Sequence, residues 1–197
     1  MDNSIRKSNI VLIGYMGSGK TVIGRQAARL LDFSFADTDE EISSVTGLTL
    51  PNLFRKYGEI RFRSEERLIL KKLADKENHV IACGGSLLPG NGDIDILRDK
   101  GFFVMLSAAP EVIWERLSRK NDRLLIGGRP SIAAIEKLLQ ERENYFQSLI
   151  DMRVDSGLLS VDEAAEKIVA AFRQQKKKEA TEADSASEQA FSEQSFS

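Results

Sequence analysis

The sequence predicts an α/β protein built on a parallel β-sheet with helices on both faces. Three observations support this fold class. Short apolar runs typical of buried strands alternate along the chain with longer segments whose apolar residues recur at helical spacing. A glycine-rich loop joins the first apolar run to the first helical segment. With 197 residues the chain is long enough to bury one substantial core, so a single domain is expected.

Each predicted element follows from a local pattern. Apolar runs predict five strands, over residues 9–13, 33–36, 80–83, 102–106 and 152–155. Helices are predicted over 22–31, 60–74, 93–99, 111–119, 132–150 and 161–172, with short helices within 40–56. The helix from 161 has the clearest amphipathic pattern in the chain. Because strands that alternate with helices pair in parallel, ligand-binding groups are expected at the carboxyl ends of the strands.

The loop after the first strand carries the strongest chemical signal. It has the pattern G-x-x-x-x-G-K-T and comprises Gly14, Tyr15, Met16, Gly17, Ser18, Gly19, Lys20 and Thr21. Glycines let successive backbone N–H groups point at one anion, and the following helix adds the positive end of its dipole. Lys20 would reach the β- and γ-phosphates of a nucleoside triphosphate, and the Thr21 hydroxyl would ligate Mg²⁺. The alternative, a glycine-rich hairpin with a surface lysine, does not explain the flanking strand and helix.

Composition argues against several functional classes. The formal net charge of −2 does not favour binding to nucleic acid or to a membrane surface. No apolar run approaches the ~20 residues that a membrane-spanning helix needs. The first ten residues lack the apolar core of a signal peptide. Cys83 is the only cysteine, which excludes an intrachain disulfide. A cytoplasmic protein is therefore expected.

Two aspartates directly follow the second predicted strand. Asp37 and Asp39 flank Thr38, on the edge of the sheet that also carries the glycine-rich loop. Phosphoryl transfer needs a carboxylate to hold Mg²⁺ and, for an alcohol acceptor, another to receive the proton. Aspartates two residues apart in extended chain point the same way and would divide those roles. The alternative is that Thr38 or Asp39 caps the next helix.

Two arginines lie where the helical pattern favours other residues. Arg63 precedes Glu66 by one helical turn, and Glu66 is on the apolar face of its helix, where it would orient the guanidinium toward a ligand. A plain surface ion pair is the alternative. Arg142 lies inside an apolar stripe, where an arginine is costly unless it is paired. It meets either a structural carboxylate or an anionic ligand.

Two loops complete the predicted site. Gly84 and Gly85 end the third strand and would let backbone N–H groups approach a polar substrate, although an ordinary turn is an equal alternative. A basic, glycine-containing loop would suit a lid that closes over phosphates and excludes water. A solvated charged loop is the alternative there. Its basic residues are Arg116, Arg119, Lys120, Arg123 and Arg129.

Taken together, these motifs resemble those of the shikimate kinase family of P-loop kinases. The resemblance extends from about residue 9 to residue 172. The matching segments are G-Y-M-G-S-G-K-T at 14–21, D-T-D at 37–39, Y-G-E-I-R-F-R-S-E-E at 57–66, C-G-G-S at 83–86, R-E-N-Y at 142–145 and M-R-V-D at 152–155. It implies ATP-dependent phosphorylation of the shikimate 3-hydroxyl, with Mg²⁺, by a monomer. It also implies the strand order 2-3-1-4-5, a substrate-binding segment at about 37–66 and a lid at about 119–131.

The resemblance also implies roles for residues that contact the acceptor. Asp39 would bind the shikimate hydroxyls and act as the base for the attacking one. Arg63 and Arg142 would pair with the shikimate carboxylate. Gly84 and Gly85 would offer it backbone donors.

Residues at the nucleotide are assigned in the same way. Asp37 would hold Mg²⁺ through water. Arg123, in the lid, would reach the transferring phosphate, and Arg116 would lie against the adenine.

Two departures from the family pattern leave alternatives open. Ser86 stands where the family usually has a third glycine, and Arg123 lacks the proline that usually follows it. A kinase for another small hydroxy acid, such as gluconate, and a nucleotide-binding paralogue without catalysis are the alternatives. The kinase domain is expected to span residues 1–175. The polar composition of 176–197 predicts a disordered tail.

Overall fold

The computed structural model describes residues 7–84, 93–119 and 131–194. Its five strands are β1 (Asn9–Gly14), β2 (Ser34–Asp37), β3 (His79–Ala82), β4 (Gly101–Ser107) and β5 (Met152–Asp155). Its six α-helices are α1 (Lys20–Leu31), α2 (Thr38–Thr46), α3 (Leu50–Ala74), α4 (Pro110–Arg119), α5 (Ile132–Phe146) and α6 (Val161–Gln194). A short 3₁₀ helix covers Asp93–Leu97, where the sequence predicts a helix over 93–99.

The strands form one sheet in the order β2-β3-β1-β4-β5, and every pairing is parallel. This confirms the predicted fold class and strand order. The central strand β1 is buried along its whole length. Its Leu12 pairs with Ala82 of β3 on one side and with Val104 of β4 on the other. The carboxyl ends of β1, β2 and β3 therefore lie side by side.

Two apolar layers cover the faces of the sheet. Alternate side chains of β1 point to opposite faces, as strand geometry requires. Val11 and Ile13 belong to the layer formed with α2, α3 and α5. Ile10 and Leu12 belong to the layer formed with α1 and α6. With helices on both faces, an all-apolar central strand is stable because neither of its faces meets water.

Helix α3 is longer than the sequence predicts. The predicted helix at 60–74 is its second half, and the first half begins at Leu50 with Pro51 in its first turn. The two halves meet at Gly58, whose φ of 76° is not helical. Glycine adopts this conformation without the penalty that a β-carbon brings. The kink changes the direction of the chain within the segment that carries Arg63 and Glu66.

The segment after residue 175 differs from the predicted disordered tail. Helix α6 continues without interruption to Gln194. Its alanine, glutamate, lysine and glutamine residues favour helix, and the packed first half of α6 supplies the nucleus that an isolated helix would lack. Glu179 accepts a hydrogen bond from the backbone N–H of Lys7 (3.1 Å), and Ala183 is buried. The sequence prediction for this segment considered how little apolar surface it can bury and not the helix propensity of its residues.

No helix in the described part of the chain could span a membrane.

Candidate active site

The predicted site residues that the structure describes converge at the carboxyl ends of β1, β2 and β3. The glycine-rich loop begins at the end of β1, Asp37 ends β2 with Asp39 in the first turn of α2, and Gly84 follows β3. Arg142 reaches the same edge from α5 and lines a narrow cleft there. The residues lining this cleft are Ile13, Gly14, Cys83, Gly84, Arg142 and Phe146. Segments far apart in the sequence thus form one site.

The glycine-rich loop has the backbone shape of an anion cradle. Gly17 and Gly19 have φ angles of 84° and 90°, in the left-handed region that side chains disfavour. Helix α1 begins at Lys20, so its free N–H groups face the loop. The Lys20 ammonium folds back over the loop and donates to the carbonyls of Gly14 (2.9 Å) and Tyr15 (3.1 Å). Hydrogen bonds within the loop therefore fix the position of the Lys20 ammonium.

Lys20 is buried, and its charge depends on the groups around it. The pKa of Lys20 is lowered to about 8, and burial is the main cause. Arg142 lowers this pKa further, while the Asp39 and Asp37 carboxylates raise it. These influences show that the loop lysine, both aspartates and Arg142 share one electrostatic environment. The hydroxyl of Ser18 in the same loop is buried and has no hydrogen-bond partner among the described residues. An anionic ligand bound in the loop could accept hydrogen bonds from both the Ser18 hydroxyl and the Lys20 ammonium.

The first aspartate connects β2 to the glycine-rich loop. Its Oδ2 accepts a hydrogen bond from the Thr21 hydroxyl (2.7 Å), and its Oδ1 accepts from the backbone N–H of Asp39 (3.1 Å). Asp37, rather than Thr38 or Asp39, is therefore the N-cap of α2. A hydroxyl and a carboxylate oxygen in contact suit Mg²⁺, which binds few protein groups and keeps waters and phosphate oxygens. No group of three or more His, Cys, Asp or Glu side chains that could hold a metal ion occurs in the described ranges, so the protein groups here are only Thr21 and Asp37.

Gly84 contacts both Thr38 and Asp39. Its backbone N–H donates to the buried hydroxyl of Thr38 (2.7 Å), so that donor already has a partner within the protein. A β-carbon at position 84 would lie 2.0 Å from Oδ1 of Asp39. The glycine is required because the aspartate occupies the space of a side chain. Sequence reasoning missed Thr38, whose only signal was its position between the two aspartates.

The pair of Arg63 and Glu66 on α3 is not a surface ion pair. The guanidinium donates to Oε2 of Glu66 (2.7 Å), and that side chain is only 2% exposed. The guanidinium also lies 5.3 Å from the ring centroid of Phe62, while Glu59 contacts it from solvent at 3.5 Å. The buried carboxylate therefore fixes the arginine's direction, as its place on the apolar face suggested.

Arg142 lies beside an aromatic side chain of the glycine-rich loop. It is 7% exposed, and its guanidinium carbon is 5.2 Å from the ring centroid of Tyr15. Burial lowers its pKa, the Tyr15 and Glu66 side chains raise it, and Arg63 lowers it. The influence of Arg63 shows that the two guanidinium groups are close enough to repel one another. Arg142 in the cleft, with the charge of Arg63 nearby, favours an anionic ligand such as a carboxylate. Sequence reasoning gave no role to Tyr15, because the second position of the loop pattern is unrestricted.

Arg116 ties α4 to the glycine-rich loop. It donates to the carbonyl of Gly17 (3.2 Å) and to the hydroxyl and carbonyl of Ser156 (3.1 and 2.6 Å). Ser156 follows β5, is buried, and carries no sequence signal for this contact. The arginine is thus anchored at the side of the phosphate loop by two segments of the chain.

Some predicted residues lie outside the described part of the chain. They are Gly85, with its neighbour Ser86, and Arg123 together with the rest of the predicted lid from 120 to 130. Their roles remain predictions.

A parallel sheet with a phosphate-loop motif, a pair of aspartates beside it and a cleft lined by a buried arginine is the arrangement of a P-loop small-molecule kinase. The family model for shikimate kinase matches residues 16–173. The shikimate kinase of Pelotomaculum thermopropionicum is 44% identical over 161 residues, which are 82% of this chain and 93% of that protein. The chain therefore belongs to the shikimate kinase family.

Solved structures agree with this assignment. A shikimate kinase from Acinetobacter baumannii in complex with shikimate is 31% identical and has a TM-score of 0.78, covering 86% of this chain and 94% of its own. A gluconokinase from Sinorhizobium meliloti is 20% identical with a TM-score of 0.59, covering 87% of this chain and 95% of its own. That likeness shows the shared fold alone, so it gives the gluconate alternative no support.

Proposed function

We propose that this kinase transfers the γ-phosphoryl group of ATP to the 3-hydroxyl of shikimate, forming shikimate 3-phosphate and ADP. The observation that carries the proposal is the position of Arg142. It is buried in the same cleft as the glycine-rich loop, close enough to Lys20 to lower the pKa of the ammonium. An anionic acceptor held there would have its hydroxyls beside the phosphates.

At the phosphate end, Lys20 neutralises the β- and γ-phosphate oxygens, and the N–H groups of residues 17–21 hold them by backbone hydrogen bonds. Thr21 and Asp37 would hold Mg²⁺, supported by their 2.7 Å contact. When bound, Mg²⁺ supplies further neutralisation of the phosphate charge. Arg116 lies against the adenine, and Arg123 reaches the transferring phosphate from the lid.

At the acceptor end, Asp39 takes the proton of the 3-hydroxyl. The hydroxyl oxygen forms the new bond to the γ-phosphorus, and the bond from that phosphorus to the ADP oxygen breaks. The Asp39 carboxylate is close enough to the Lys20 ammonium to raise the pKa of the ammonium. Backbone N–H groups at Gly85 contact the acceptor, and Gly84 leaves room for the carboxylate of Asp39.

The acceptor's carboxylate is bound by the two guanidinium groups of Arg63 and Arg142. The positive charges of the two groups repel one another, and burial disfavours the charged form of Arg142. A carboxylate bound by both would offset these two effects. Because the carboxylate and the 3-hydroxyl are held at fixed positions on one ring, this contact sets the position of the hydroxyl. A neutral acceptor would lose it.

A coupled ADP-release assay with ATP and Mg²⁺ tests the proposal directly. Shikimate, gluconate and no acceptor are compared at equal concentrations. ADP release that depends on shikimate and exceeds both controls is the expected result. Release with gluconate at an equal rate, or no release above the acceptor-free control, would overturn it. A monomeric, cytoplasmic enzyme is part of the proposal, and light scattering during size-exclusion chromatography checks the monomer.

A further inference from the structure

The backbone of Tyr15 belongs to the phosphate loop, and its side chain contacts Arg142, which lines the cleft. Its carbonyl accepts hydrogen bonds from the Lys20 ammonium (3.1 Å) and from the backbone N–H of Ser18 (3.1 Å). Its ring is 7% exposed and lies against Arg142, with 5.2 Å between the guanidinium carbon and the ring centroid. One residue therefore contacts groups at both ends of the proposed reaction.

The ring also sits on a rigid support. Tyr15 belongs to a small apolar cluster with Ala108, Ile113, Leu117 and Ile135, which joins the phosphate loop to α4 and α5. A ring held in this way cannot rotate away from Arg142 without disturbing the packing of two helices. The packing of the ring therefore fixes the position of its face relative to Arg142.

An aromatic face suits an arginine that must bind a carboxylate. Burial and the nearby Arg63 both disfavour the charged guanidinium of Arg142, whose Cζ lies over the Tyr15 ring. A ring over the face of a guanidinium stabilises the cation, while the N–H donors lie in the plane and point outward from its edge. Because arginine carries five N–H donors, a contact between its Cζ and the ring helps to position the group while it binds a carboxylate.

We infer that Tyr15 is a positioning residue for the acceptor, acting through Arg142. The inference rests on the proposed function, because it treats Arg142 as the group that binds the acceptor carboxylate. We assign this positioning role to the aromatic face of Tyr15 and not to its phenol hydroxyl. Burial raises the pKa of Tyr15, so the hydroxyl stays neutral and adds no charge to the cleft.

Two substitutions separate the face from the hydroxyl. Tyr15→Phe keeps the ring, and Tyr15→Leu removes it while keeping an apolar side chain. We expect Tyr15→Leu to raise the KM for shikimate by about 3- to 30-fold, the range of a buried cation–π contact. The KM for ATP should change less than about twofold, and Tyr15→Phe should stay close to wild type. Tyr15→Met replaces Tyr15→Leu if thermal melting shows that the latter does not fold.

A double-mutant cycle tests whether the effect passes through Arg142. In an Arg142→Gln background, Tyr15→Leu should have little further effect on the shikimate KM. The inference is overturned if Tyr15→Leu matches wild type, if it raises both KM values alike, if Tyr15→Phe is equally impaired, or if the effect persists in that background. Wild-type turnover reports on the proposed function separately: without shikimate-dependent turnover the function fails, whatever the variants do.

Discussion

Gly84 and Asp39 fit together so closely that a side chain at position 84 would require the Asp39 carboxylate to move. A β-carbon at position 84 would lie 2.0 Å from Oδ1 of the aspartate and 2.8 Å from its Cγ. The same glycine donates its N–H to Thr38, so its backbone is fixed in place. The residue two positions after β3 thus sets the position of the Asp39 carboxylate in the first turn of α2.

Gly84→Ala should therefore reduce kcat strongly. The methyl group forces Asp39 away from the acceptor by an ångström or more, which costs about 100-fold in rate. Nucleotide affinity should be nearly unchanged, because Asp39 does not contact the phosphate loop backbone in our proposal. Steady-state kinetics and an ADP titration measure the two quantities.

Gly47→Ala is the matched control. Gly47 has a φ of 66° but nothing within 4 Å of the position where a β-carbon would be. Its substitution should cost about 1 kcal/mol of stability through backbone strain alone and leave kcat unchanged. If Gly84→Ala is as active as this control, Asp39 is not the base.

Nucleotide affinity should fall as the pH rises above about 8. Burial lowers the pKa of Lys20 to that value, so the free protein loses the ammonium above it and keeps it below it. Phosphates bind the charged form, and the dissociation constant for ADP should rise up to about tenfold per pH unit once Lys20 is neutral. Calorimetric titration without Mg²⁺ on either side of this pH measures the change.

Lys20→Arg provides the comparison for this pH dependence. Arginine stays charged throughout the range, so its affinity for ADP, although lower, should not fall as the pH rises. A decline of equal size in both proteins would show that another group titrates.

Replacing either cleft arginine by lysine should weaken acceptor binding selectively. Arg63→Lys and Arg142→Lys keep a positive charge but lose the planar fork that pairs with a carboxylate. The KM for shikimate should rise about 10- to 100-fold, as expected for a charged hydrogen bond, and the KM for ATP much less. Arg98→Lys, in an ion pair with Asp95 in which both side chains are half exposed, is the control that should match wild type. Equal increases in both KM values would argue against a carboxylate site.

The two carboxylates that contact Arg63 should differ greatly in importance. Glu66 is 2% exposed and Glu59 is 55% exposed. Glu66→Ala leaves a half-buried guanidinium without its main partner and should lower the free energy of unfolding by about 3 kcal/mol. Glu59→Ala should cost less than about 1 kcal/mol, as exposed ion pairs do. Urea unfolding of both variants measures the difference, and similar losses would contradict the role of burial.

Deleting residues 176–197 should leave kcat/KM unchanged and reduce stability slightly. The deletion removes the hydrogen bond from Lys7 to Glu179 and the burial of Ala183, but no described residue of the proposed site. We expect a loss of about 1 kcal/mol, or about 2–4 °C in Tm. Thermal melting and steady-state kinetics on the shortened protein check both. A large loss of activity would mean that the helical extension contributes to catalysis.

Much of the fold and of the site was predictable from the sequence, because local patterns carry it. The phosphate loop is one continuous motif between a strand and a helix, so its form follows from its glycines. Asp37 and Asp39 stood out as charges at a strand end, and Arg142 as a charge within an apolar stripe. Such residues are visible without a structure because burying a charge is costly and needs a reason.

The sequence by itself thus determined the elements, the phosphate loop and the charged residues that gather around it. Only the tertiary structure decided what those residues touch. Gly84 meets Thr38 across 46 residues of sequence, and Arg116 meets Ser156 across 40. Tyr15 meets Arg142 between two elements that no local pattern connects. Contacts of this kind depend on how the strands are ordered and how the helices pack, and neither is encoded by the spacing of residues along one segment.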